Sequence, residues 1–73
     1  MRILGIDPGY ALVGYGIIDV VGNSLKPVKY GCIKTDSKET FYSRMMQINQ
    51  ELKTILAEFE PEELAIEKLF FSV

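Results

Sequence analysis

Histidine is absent from the 73 residues, and cysteine occurs once, at Cys32. The first absence excludes zinc-protease motifs, His-containing triads and His general bases. The second excludes an intrachain disulfide or a cysteine-built zinc cluster, and a lone thiol is expected to fill a core position as a small apolar residue. No apolar run approaches the roughly 20 residues of a membrane span, and no basic-then-apolar leader opens the chain. No membrane partner and a cytoplasmic location are therefore the expectations. A P-loop is missing too, as are repeats, low-complexity stretches and linkers, so one small domain is expected. Nor is there a basic excess: ten Asp and Glu against eight Lys and Arg give a net charge of -2. That balance weighs mildly against a nucleic-acid binder. Polar chemistry is left to Asp, Glu, Lys, Ser, Thr and Tyr.

What is present reads as an α/β chain. Residues 2–7 form a short, mostly apolar run that suits a strand buried on both faces. Asp7-Pro8-Gly9 is turn chemistry, Pro presetting φ and Gly9 letting the chain fold away from Asp7. A second strand is expected from about Val13 to Val21. Gly22, Asn23 and Ser24 mark a reversal, so a third strand returns antiparallel over about Val28 to Thr35. Asp36 with Glu39 three residues on reads as a capping box. The helix behind it carries Phe41, Met45, Ile48, Leu52, Ile55, Leu56 and Phe59 at three- and four-residue steps, an apolar stripe for packing against a sheet. Pro61 ends it at or just before Glu60. Leu64, Ala65 and Ile66 then make a short fourth strand that ends at Glu67. Strand, helix and strand imply a right-handed crossover and parallel pairing of strands 1 and 4. Since the hairpin fills the other side of strand 1, the expected sheet order is 3-2-1-4.

That topology brings two acids to one edge. Parallel strands 1 and 4 end in Asp7 and Glu67, and neighbouring strands lie about 4.8 Å apart. Two converging carboxylates repel unless a cation shares them, and hard oxygen ligands with open positions suit Mg²⁺ or Mn²⁺. Ends of parallel strands are also where open α/β sheets place their sites. Gly14 and Gly16 fall on one face of the second strand and leave room there for a substrate backbone. Alone, Asp7 would be read as capping its own turn and Glu67 as a solvated strand end; their meeting favours a site.

Charge is expected to be polarised along the sheet. Glu58, Glu60, Glu62 and Glu63 cluster where the helix enters the fourth strand, at the edge opposite the acids. Lys34, at the end of the third strand, nearby Lys38, and Lys68, directly after Glu67, lie toward the acidic pair. Such a distribution suits a phosphate-bearing ligand.

"GIDPG" at 5–9, "GYGII" at 14–18 and "AIEKLFF" at 65–71 resemble the first two acidic motifs of the RuvC family of Holliday junction resolvases, the crossover junction endodeoxyribonucleases. The resemblance covers the whole chain in order and spacing. It implies a ribonuclease H-like fold, Mg²⁺ dependence with Mn²⁺ as substitute, a four-way DNA junction as substrate, a homodimer in the complete protein, and association with branch-migration machinery. It places the family's catalytic, metal-holding acids on Asp7 and Glu67. Its junction-engaging aromatic falls on Phe70. The family's later pair of acids, on a late helix, and its fifth strand have no counterpart in residues 1–73. The chain is therefore expected to be a partial nuclease domain, an N-terminal fragment inactive alone. Two other readings use the same fold: a nucleotide phosphate-binding domain of the actin-like and sugar-kinase superfamily, whose hairpin also follows a "GIDxG" turn, and a non-catalytic DNA-binding module.

Overall fold

Four strands and one helix make two layers in the computed structural model, which describes residues 1–8 and 12–66. The elements are β1 (Arg2–Pro8), β2 (Leu12–Val21), β3 (Ser24–Lys34), α1 (Phe41–Phe59) and β4 (Glu63–Ile66). The sheet order is β3-β2-β1-β4, as the sequence predicts, with β1 antiparallel to β2 and parallel to β4.

Each turn has a local cause. Gly22 opens the two-residue β2–β3 loop with φ +59°, a left-handed conformation that glycine adopts without steric cost. The helix starts on Thr40, whose side chain accepts a hydrogen bond from Ser43 N at 3.1 Å. The expected capping box at Asp36 is not what forms. Asp36 caps its own turn instead, its carboxylate accepting from Lys38 N at 2.9 Å and its carbonyl from Glu39 N at 3.0 Å. Pro61 ends the helix as expected, and Glu60 takes the left-handed C-cap position while donating to Leu56 O at 3.0 Å.

The register sorts side chains onto two faces, because residues directly opposite in a sheet share a face. Leu4 opposes Ile17, Ile6 opposes Tyr15, and Val13 opposes Ile33. These residues meet Ile48, Leu52, Ile55 and Phe59 of α1, and Leu4, Ile17 and Ile33 are almost fully buried. Only part of the predicted helical stripe is core. Phe41 shares an azimuth with Phe59, five turns away, yet is 77% exposed, as are Met45 and Leu56 to a lesser degree. The core contacts of α1 come from Ile48 onward, and Leu56 lies on the flank of the stripe.

Cys32 corrects the sequence reading as well. Ile33 takes the inward position, and alternation turns Cys32 to the opposite, exposed side. Strand β3 starts four residues earlier than expected, at Ser24, and runs through Pro27. An edge strand tolerates proline, and Val28 is the extra residue of a bulge between the Ile17–Lys29 and Ile18–Pro27 pairs.

Arg2 ties the far edge together. It forms two hydrogen bonds with the Asp19 carboxylate, at 2.8 and 3.0 Å, and donates to Phe59 O at 3.0 Å. The Arg2 hydrogen bond, strengthened by its charge, holds the Asp19 carboxyl below its ordinary range. The stability this gives is present above the unfolded carboxylate pKa of about 4 and is lost as pH falls through the lower folded value. Asp19→Asn should therefore flatten the fall in melting temperature between about pH 5 and pH 3; an unchanged profile would show that the pair does not contribute. The effect is expected to be small, because the pair is only half-buried.

Candidate metal and nucleic-acid site

Asp7 occupies the next-to-last position of β1, opposite Gly14 of β2, which in turn opposes Cys32 of β3. The neighbouring row runs Tyr30, Gly16, Gly5 and Ala65 across all four strands. Both rows belong to the face that α1 does not cover. They form an open trough of about 560 Å³, floored by Gly5, Gly14 and Gly16 and lined by Asp7, Tyr30 and Cys32 among others. The Asp7 carboxylate is exposed and makes no hydrogen bond or ion pair to another described residue.

The glycine floor is not demanded by the packing of this chain. A Cβ built on Gly14 would meet Asp7 Cβ at 3.7 Å, one on Gly5 would meet Gly16 O at 3.8 Å, and one on Gly16 would meet nothing within 4 Å. Those are ordinary contacts, and none of the three has a positive φ. Gly31 differs: there a Cβ would come within 3.0 Å of the Tyr15 hydroxyl, so this glycine seats the Tyr15 ring. Alanine should therefore be accepted at Gly16. It should raise stability by roughly 0.5–1 kcal/mol through the lower entropy of the unfolded chain. A thermal melt in which Gly16→Ala lowers stability by a similar amount would mean that the bare backbone serves the fold instead.

Charges of both signs occur at each end of the sheet among the described residues, Asp36 and Glu39 beside Lys38 and Arg2 beside Glu62. Lys34 ends β3 opposite Leu12, on the open face and at the Asp7 edge, with Lys38 in the turn beyond. At the other edge Glu62 accepts from Arg2 N at 3.3 Å and donates its own N–H to Arg2 O at 2.8 Å, with Glu60 and Glu63 beside it. Glu67, Lys68 and Phe70, together with Gly9, lie outside the described residues. No group of three or more His, Cys, Asp or Glu side chains able to hold a metal occurs among the described residues. Asp7 thus supplies one hard oxygen donor, of the kind that suits Mg²⁺ or Mn²⁺, and a complete site needs further donors. Tyr30 and Ala65 escaped the sequence reading as parts of the trough. Ala65 was legible as the residue level with Gly5 in a parallel pair; Tyr30 was not, for a reason taken up below.

An acid near the end of the first strand, a three-stranded meander, a covering helix and a parallel fourth strand define the first half of a ribonuclease H-like fold. The solved structure of Thermus thermophilus RuvC matches all of this chain with a TM-score of 0.88 and 30% identity, the match covering 46% of that protein. A second, titled as T. thermophilus RuvC in complex with Holliday junction substrate, matches 99% of the chain with a TM-score of 0.89. The profile of the family Crossover junction endodeoxyribonuclease RuvC matches residues 3–73, and the chain belongs to that family. The Finegoldia magna relative of that name is 50% identical over 72 residues and the Brevibacillus brevis relative 46%. The chain spans 44% and 43% of their lengths, less than half in both cases. An Aquifex aeolicus PPX-GPPA enzyme, with a TM-score of 0.70 and 21% identity, shares the fold alone. Among the described residues no helix is long and apolar enough to cross a membrane.

Proposed function

We propose that this chain supplies the first acidic edge of a cytoplasmic, Mg²⁺-dependent endonuclease that resolves four-way DNA junctions. The observation that carries the reading is the placement of Asp7: exposed near the end of β1, on the open face, beside a floor of glycines that the fold itself does not need. Membership of the RuvC family supports the junction as substrate. The β1–β4 ladder pairs Gly5 with Ala65 and Ile6 with Ile66. One more step of the same register would set Glu67 against Asp7. In this reading the two acids hold a divalent cation, Mg²⁺ or Mn²⁺, which when bound supplies Lewis-acid activation of a phosphodiester.

The chain's own residues then have distinct tasks. Asp7 and Glu67 orient the cation, Gly14 and Gly16 let the sugar-phosphate backbone come close, and Lys34 and Lys68 attract it. Phe70 stacks against unpaired bases at the crossover, where such contacts contribute about 1–3 kcal/mol each. Because α1 covers the other face, any additional carboxylates must approach Asp7 from the open side. A homodimer and branch-migration machinery remain the partners proposed for the complete nuclease.

The test joins this chain to the remaining part of the Finegoldia magna relative, replacing the 44% that it matches. With Mg²⁺ the chimera should nick a labelled synthetic junction in preference to linear duplex. The 73-residue chain alone should not nick it. A folded chimera that binds ATP but neither binds nor cuts branched DNA would favour the nucleotide-binding reading.

A further inference from the structure

The β2–β3 bulge decides which face Tyr30 occupies. Counting from the turn, Val21 pairs with Ser24 and Asp19 with Lys26. Unbroken, that ladder would set Tyr30 opposite Tyr15, on the face beneath α1. The extra residue, Val28, shifts the register by one, so that Tyr30 opposes Gly16 on the face of Asp7. There its side chain is 83% exposed, the highest value among the exposed large apolar and aromatic residues of the described chain. Cross-strand from it lie Gly16 and then Gly5, with no side chain to cover the ring on that side. The ring therefore stands as one wall of the trough whose other side carries Asp7.

Spacing suits a nucleic-acid strand. Tyr30 is two strands and two residues from Asp7, so their Cα atoms are about 12 Å apart. That distance corresponds to a few nucleotides at about 3.4 Å per stacked step. Lys34 lies four residues further along the same strand, on the same face and on the far side of the Asp7 row, where it adds positive charge to that end of the trough. An exposed aromatic beside bare backbone and a lysine is the combination with which proteins hold single-stranded or splayed nucleic acid.

We infer that Tyr30 is a DNA-contacting residue, a platform on which a base or sugar stacks a few nucleotides from the phosphate held at Asp7. This rests on the nuclease reading above. It assigns a contact to the β2–β3 side of the trough, away from the β1–β4 side where the acids gather.

The experiment measures binding of the 73-residue chain to a fluorescent four-way junction at low and moderate salt. Tyr30→Ala should weaken binding roughly tenfold, and Tyr30→Phe, which keeps the ring, should restore most of it. The salt slope should not change for either variant, because no charge is removed, whereas Lys34→Ala should reduce it by about one. Tyr42→Ala, which removes an exposed tyrosine of α1, serves as the control and should bind as the parent chain does. Parent-like binding by Tyr30→Ala would overturn the inference and leave the nuclease reading intact. A large fall in melting temperature for Tyr30→Ala would also overturn it, by showing that the ring is packed against protein. If the parent chain alone binds no DNA, the same variants are compared in the chimera, where parent-like junction binding by Tyr30→Ala would overturn the inference. Failure of the unsubstituted chimera to bind branched DNA would remove the nuclease reading instead.

Discussion

Asp7→Asn is expected to abolish junction cleavage in the chimera while leaving its folding and its junction binding close to unchanged. The carboxylate is exposed and makes no hydrogen bond or ion pair to another described residue, so an isosteric amide disturbs no packing. What the amide loses is the charge that holds a divalent cation. Activation of a phosphodiester by a metal ion contributes several kcal/mol, so a loss on the order of 10³-fold or more is expected. A nicking assay with Mg²⁺ reads the rate, and gel retardation in Ca²⁺ reads binding. Cutting within a few-fold of the parent would remove Asp7 from the reaction. Loss of binding together with cutting would make it a binding residue.

Ile17→Ala is expected to unfold the chain. Ile17 is fully buried at the centre of the α1–sheet interface, opposite Leu4. Truncation of such a residue costs about 2–5 kcal/mol, transfer and cavity contributions together. A single core in a domain this short rarely provides more than about 3–5 kcal/mol. Among the described residues only Leu4, Val13, Ile33 and Ile55 share the buried core with it, and little is left to absorb the cavity. Circular dichroism should show the loss of a cooperative melt at 25 °C. A melt within a few degrees of the parent would mean that the open face or self-association contributes more stability than this core. The exposed residues Leu64 and Ile66, on an outer strand with no partner on its far side among the described residues, make self-association the reason to check first.

Much of this architecture was legible because each signal had one reading. Gly22-Asn23 fixed the hairpin, Pro61 the helix end, and the handedness of the crossover the place of β4. The misses have physical causes. Asp36 and Thr40 can both cap; the winner was the one next to the first turn of the helix. The strip from Phe41 to Met45 has the right periodicity, but the sheet's buried side chains meet the helix only from Ile48 onward. Cys32 follows from alternation once Ile33 is assigned inward. Tyr30 was the hardest. A single bulged residue inverts the parity of a strand, and neither Val28 nor Pro27 announces on which side of the bulge the ladder resumes. For the site, Gly14 and Gly16 could be put on one face of the second strand from period-two spacing alone, whereas the shared face of Asp7 comes from the β1–β2 register. The meeting of Asp7 with Glu67 remains a proposal built on the β1–β4 register.

That meeting is tested most directly by titrating the ¹⁵N-labelled 73-residue chain with Mn²⁺ and following paramagnetic broadening of its amide resonances. If Asp7 and Glu67 share one ion, broadening at low Mn²⁺ should centre on Asp7, Glu67 and Gly14, the residue opposite Asp7. Asp7→Asn should abolish it at both ends of the pair. Broadening centred instead on Glu58, Glu60, Glu62 and Glu63, or broadening at Glu67 that survives Asp7→Asn unchanged, would contradict the account.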